Sequence, residues 1–231
     1  MTDALIVAHG QPADPAPQQA AVEALAARVA TLLPGLRIAG ATLAMPGAIE
    51  AAGPGARLIY PMFMAEGWFT TRELPRRLAR AGVTQPRILA PFGADPGLGP
   101  LCLRLLSAAA EAQGWRARET AVLIAAHGSG RSPAPARAAH DLALHLAPAF
   151  AHTRCAFIEQ DPPIAAAASE LPARAICLPF FATRAGHVTD DLPAALARAG
   201  FAGPTLPPLG LAAEISAMIA ASIRAAHEAR P

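Results

Sequence analysis

Leu178-Pro179-Phe180-Phe181-Ala182-Thr183-Arg184-Ala185-Gly186-His187-Val188-Thr189-Asp190-Asp191-Leu192-Pro193 reads as a buried strand that runs into a loop carrying one histidine. An acidic, proline-marked helix start follows. The stretch has a counterpart. Tyr60-Pro61-Met62-Phe63 is followed, after a loop of the same length, by Thr71-Arg72-Glu73-Leu74-Pro75, and the gapless alignment sets Phe69 opposite His187. The match extends outward at one offset: His9 pairs with His127, Pro61 with Pro179, Pro75 with Pro193, and Arg80-Ala81-Gly82 with Arg198-Ala199-Gly200. Such a repeat predicts two homologous lobes, residues 1–116 and 117–231, meeting near Gly114 to Glu119.

Within the first lobe, short apolar runs bounded by glycine or proline predict strands at Ala4–Ala8, Leu36–Ala44, Arg57–Met64 and Arg87–Phe92. Helices are expected at Pro17–Leu33, Pro46–Ala52, Glu73–Ala81 and Leu101–Gln113. The second lobe repeats the order, with strands at Thr120–Ala126, Arg154–Glu159, Ala175–Phe181 and Leu206–Leu209. Its helices are expected at Ala134–Ala147, Pro163–Leu171, Asp191–Ala199 and Ala212–Ala226. Alternating strands and helices predict an α/β protein whose lobes each hold a mainly parallel sheet flanked by helices. In such sheets ligands gather at the carboxyl ends of the strands, and pseudo-twofold packing would face the two rims across a central cleft.

Composition narrows the class. Hydrophobic residues make up 53% of the 231 and charged residues 16%, a globular balance without a disorder signature. The net charge of +2 is too small to imply a nucleic-acid partner. Cys102, Cys155 and Cys177 stand far apart in apolar segments, which fits buried thiols and argues against disulfides, iron–sulfur clusters and structural zinc. No apolar run reaches membrane-spanning length, and the start of the chain leads directly into a strand, so no membrane and a cytoplasmic location are expected.

His9, His127 and His187 each follow a predicted strand, and Phe157-Ile158-Glu159-Gln160-Asp161-Pro162 ends another in carboxylates. Two imidazoles and a carboxylate on one rim suit either a divalent metal with open positions or proton exchange near neutral pH. These ligand types do not choose among Co²⁺, Fe²⁺, Ni²⁺ and Zn²⁺. The bland alternatives are a turn-capping histidine and a Glu159 that caps the next helix or pairs with arginine. Asp190 and Asp191 read as helix-start residues, and Phe63, Phe180 and Phe181 as core. Serine hydrolysis through Ser129 lacks the G-x-S-x-G elbow.

Val-Ala-His-Gly at 7–10, Ala-Ala-His-Gly-Ser at 125–129 and the Leu178–Pro193 motif together resemble the class II chelatases, the sirohydrochlorin cobalt- and ferrochelatase family, in its two-lobed long form. The resemblance spans essentially the whole chain. It implies insertion of a divalent metal into a tetrapyrrole without ATP or an organic cofactor, with Co²⁺, Fe²⁺ or Ni²⁺ as substrate, in siroheme or cobalamin supply. It also implies that His127, His187 and Glu159 handle the metal. The first lobe keeps His9 but has Phe69 for the second histidine and no carboxylate around Ala41-Thr42-Leu43, so one working site is expected, in the second lobe. Around it Ser129, Gly186, Arg131 and Arg184 are candidates for holding the carboxylated ring, with His9, Trp68 and Phe69 as the facing wall. The alternative is a non-catalytic tetrapyrrole or metal carrier with the same fold; monomer and homodimer are both compatible.

Overall fold

The structure, a computed structural model, describes residues 1–183 and 187–229, with His187 described by its backbone. It forms two compact units: Met1–Asp95 together with the chain from Ala213 onward, and Pro96–Ala212. The first holds β1 (Ala4–Ala8), α1 (Pro15–Thr31), β2 (Ile38–Thr42), α2 (Ala48–Ala52), β3 (Leu58–Met62), α3 (Leu74–Arg80) and β4 (Arg87–Ile88). The second holds α4 (Leu98–Ala112), β5 (Ala121–Ala126), α5 (Ala134–Leu146), β6 (His152–Phe157), α6 (Ile164–Ser169), β7 (Ala175–Phe180) and α7 (Leu192–Arg198). The last helix, α8 (Ile215–Glu228), returns to the first unit.

The repeat boundary and the unit boundary therefore differ. Helix α4 ends the first repeat yet packs on α5 and β7, while α8 ends the second and packs on α1 and β3. An amphipathic helix carries no mark of which sheet it covers; the matching surface decides. Helix α8 is held by polar contacts as well. The carboxylate of Asp95, only 5% exposed, accepts hydrogen bonds from the Tyr60 hydroxyl at 2.9 Å and the Ser222 hydroxyl at 2.7 Å. Arg87 donates to the carbonyl of Ala226 and Arg224 to that of Leu32.

Both sheets are parallel, in the orders β2-β1-β3-β4 and β6-β5-β7. Parallel strands need crossover helices, and helices on both faces bury the strands throughout: β1, β3, β5 and β7 have no exposed residue. The cores correspond position by position. Leu5, Val7, Ile59, Phe63, Leu74 and Leu78 in one match Leu123, Ala125, Cys177, Phe181, Leu192 and Leu196 in the other.

Two expected strands are cut short, for one reason. Ile59 accepts from Leu89 on the outer side of β3, so Pro61 is the next residue to face that side, and it has no N–H to donate. Strand β4 accordingly ends at Ile88, and the chain turns into a 3₁₀ segment at Phe92–Ala94. In the second unit Cys177 exchanges hydrogen bonds with Pro204 and Leu206, and Pro179 comes next. The expected strand at Leu206–Leu209 is reduced to the single bridge of Thr205 with Cys177, followed by a 3₁₀ turn at Leu209–Leu211.

Among the described residues no helix is long and apolar enough to cross a membrane. The three cysteines are buried free thiols, and burial pushes each thiol up to about 12. The native protein should therefore resist a disulfide exchange reagent at pH 8, with all three thiols reacting once denaturant is added. Asp95→Ala strands the buried Tyr60 hydroxyl and the half-buried Ser222 hydroxyl and should cost about 2–4 kcal/mol, read as a fall of roughly 5–15 °C in Tm. A Tm within a degree of wild type would show that this network does not hold α8.

Candidate metal-handling site

Strand β5 delivers His127 to the carboxyl edge, and the chain must turn there. Gly128 makes the turn with φ +73°, and a Cβ on it would lie 2.6 Å from Cγ of Gln160 and 2.9 Å from Cβ of Phe157, so only glycine fits. The turn aims the carbonyl of Gly128 at Nδ1 of His127, 3.1 Å away. With the proton on Nδ1 and donated to that carbonyl, the neutral ring carries its lone pair on Nε2, the state that binds a metal ion.

The carboxylate comes from the neighbouring strand. Past the end of β6, the Glu159 amide donates to the His127 carbonyl at 2.9 Å, which locks the two backbones together. Oε2 of Glu159 then lies 3.6 Å from Nδ1 of His127, both side chains remaining half-exposed at 50% and 38%. The structure thus brings His127 and Glu159 together on one rim, with the carboxylate on the Nδ1 side of the ring. Among the described residues no cluster of three or more His, Cys, Asp or Glu is gathered.

The third expected residue, His187, lies on an element that strand-and-helix patterning does not anticipate. His187 is the first residue of a π-helical turn, His187–Asp191, that leads into α7, and Phe69 is the first residue of the matching turn, Phe69–Glu73, before α3. Such π turns recur at functional sites. The side chain of His187, and Arg184 and Gly186 altogether, lie outside the described residues. Ser129 closes its own loop, its hydroxyl oxygen accepting from the amides of Arg131 and Ser132 at 3.1 and 3.2 Å. Arg131 is exposed on that loop.

The first unit repeats the scaffold with other chemistry. His9 makes the same contact with the Gly10 carbonyl, at 3.0 Å, beside a glycine of φ +78°. The Ala44 amide donates to the His9 carbonyl as that of Glu159 does to His127. Ala44, rather than Ala41–Leu43, is therefore the counterpart of Glu159. The repeat offset is 118 for the first and third strands (Ala8 to Ala126, Met62 to Phe180) but 115 for the second (Thr42 to Phe157). Phe69 packs edge-on against the His9 ring with centroids 4.4 Å apart, Phe63 stacks on Phe69 at 6.4 Å, and Trp68 meets it at 5.1 Å. Trp68 is 61% exposed and Phe69 39%, leaving an aromatic face open on this unit.

Gln160 went without a role in the motif reading. Its side chain accepts from the Ser129 amide at 2.8 Å, a contact that no spacing rule reveals.

No significant match is found among curated proteins. The CbiX family matches residues 121–226, most of the second repeat. Among solved structures, CbiX, described as the terminal enzyme for biosynthesis of siroheme in denitrifying bacteria, is 64% identical with a TM-score of 0.91, over 97% of this chain and 99% of that one. SirB from Bacillus subtilis, solved with Fe³⁺, is 15% identical with a TM-score of 0.73, over 97% and 95% of the two chains. DR2241 from Deinococcus radiodurans, a multi-domain protein with structural similarity to chelatases, is 21% identical with a TM-score of 0.68, over 96% of this chain and 54% of that one. The last two share the fold. Identity of 64% along nearly the full length of both chains carries more than a fold: the chain belongs to the CbiX family of class II chelatases.

Proposed function

We propose that the protein inserts a divalent metal, Fe²⁺ in siroheme biosynthesis, into a sirohydrochlorin-type tetrapyrrole in the cytoplasm, without ATP or an organic cofactor. The observation that carries this reading is the pairing of His127 with Glu159 at the carboxyl edge of β5, in a chain 64% identical to a siroheme-forming CbiX. Imidazole and carboxylate do not exclude Co²⁺ or Ni²⁺, so iron rests on that relative.

Insertion exchanges M²⁺ for two pyrrole N–H protons; nothing is oxidised and no bond of the ring breaks. Nε2 of His127 and the imidazole of His187 present the ion, and a ring nitrogen vacated as the ion passes to the macrocycle can take up a pyrrole proton. Glu159, backing Nδ1, offsets the positive charge that gathers as the metal arrives and relays a proton outward. Arg131, exposed on the Ser129 loop, suits the carboxylates of the substrate, as do Arg184 and Gly186 of the Leu178–Pro193 motif by residue type. Trp68 and Phe69 offer an aromatic face to a flat macrocycle, with the His9 ring edge-on to Phe69.

An absorbance time course with sirohydrochlorin and Fe²⁺ under anaerobic conditions, then Co²⁺ and Ni²⁺, tests the reaction. Rapid conversion over many turnovers is expected, with His127→Ala and His187→Ala each slowing it by about 100-fold or more. Wild-type rates in either variant would remove that histidine from the mechanism, and tight ring binding without conversion would replace the enzyme by a carrier. The first unit supplies a gain-of-function test. Ala44→Glu with Phe69→His installs the missing side chains beside His9, and should raise Co²⁺ bound per chain from about one to about two in equilibrium dialysis. Unchanged stoichiometry would show that the backbone scaffold is not sufficient.

A further inference from the structure

We infer that Gln160 is a positioning residue for His127, acting through the peptide group between Gly128 and Ser129. The inference rests on the reading of His127 as a metal-presenting residue. That peptide is gripped on both sides: its carbonyl, on Gly128, takes the hydrogen of Nδ1 of His127 at 3.1 Å, and its N–H, on Ser129, is taken by Oε1 of Gln160 at 2.8 Å. An acceptor on the N–H side polarises the amide and strengthens its carbonyl as an acceptor on the other. It also fixes the plane of the peptide, and with it the direction in which the imidazole points. The neighbouring residue completes the clamp, since the Glu159 amide holds the His127 carbonyl at 2.9 Å.

Comparison within the chain separates this role from folding. At the 115-residue offset of the second strands, the counterpart of Gln160 is Met45, whose thioether offers no comparable acceptor. His9 nevertheless contacts the Gly10 carbonyl at 3.0 Å, and Gly10 adopts the same left-handed turn. Thr42 there steadies Met45 instead, its hydroxyl oxygen accepting from the Met45 amide at 3.2 Å. The turn therefore forms without a glutamine. The amide is present in the unit that has the carboxylate and the second histidine, where a ligand ring must be held in one orientation.

The test compares Gln160→Met, the residue of the other unit, with Gln160→Glu, which keeps an acceptor oxygen at the same reach, and with His127→Ala. Three readouts are taken on the full chain: the d–d absorption of bound Co²⁺, separate KM values for metal and macrocycle, and Tm. Gln160→Met is expected to weaken Co²⁺ binding and raise KM for the metal by about 10–100-fold, the usual range for groups that orient a ligand. Its KM for the macrocycle should stay within about threefold and its Tm within about 4 °C of wild type, roughly the shift from 1 kcal/mol in a chain of this size. Gln160→Glu should keep the wild-type Co²⁺ spectrum. Gln160→Met with an unaltered spectrum and metal KM, beside a His127→Ala that loses both, would overturn the inference and leave the site reading intact. Equal losses for metal and macrocycle with a large fall in Tm would overturn it too, by making the role structural. His127→Ala with wild-type Co²⁺ binding would remove the site reading, and the inference with it.

Discussion

Parallel pairing about β1 and β5 is the constraint from which the rest of each unit follows. A parallel strand cannot be reached by a hairpin, so every strand exits at the same edge and every return passes through a helix on a face. His9 and His127, the residues that follow the second strand, and the loops toward 69 and 187 all emerge at that edge. Burial on both faces makes the strands apolar and leaves chemistry only where they end. That is why glycine follows each histidine: the backbone must reverse within one residue, against a neighbouring strand too close for a Cβ.

Proline limits the sheets on the outer side. Pro61 and Pro179 stand where an N–H would extend the outer ladder, and pairing stops two residues earlier in both units. Strands β3 and β7 run on to Met62 and Phe180 against their inner neighbours, and π turns begin further along, at Phe69 and His187.

The two units hold the same backbone devices and differ in what they hang on them. Ala44 stands for Glu159, Phe69 for His187 and Met45 for Gln160, and each exchange removes polarity from the first unit. Aromatic packing on His9 takes the place of the carboxylate beside His127, which makes this rim the more apolar of the two. The backbone contacts of His9 and His127 agree within 0.1 Å, so the difference lies in side-chain chemistry and not in the fold.

Much of this was legible in the residues. The repeat, the buried strands and the histidines at their ends follow from local pattern, because hydrophobic period and glycine or proline punctuation are properties of neighbouring residues. Tertiary structure decided the remainder. The sheets into which α4 and α8 pack, the three-residue slip that makes Ala44 the counterpart of Glu159, and the shortening of the fourth strands all depend on pairing between distant segments. The hydrogen bond from Ser129 to Gln160 joins residues 31 apart, and that distance is closed only when β5 and β6 lie side by side. Sequence alone determined which chemistry is carried and at which strand ends; only the sheet, by bringing those ends together, decided which groups touch.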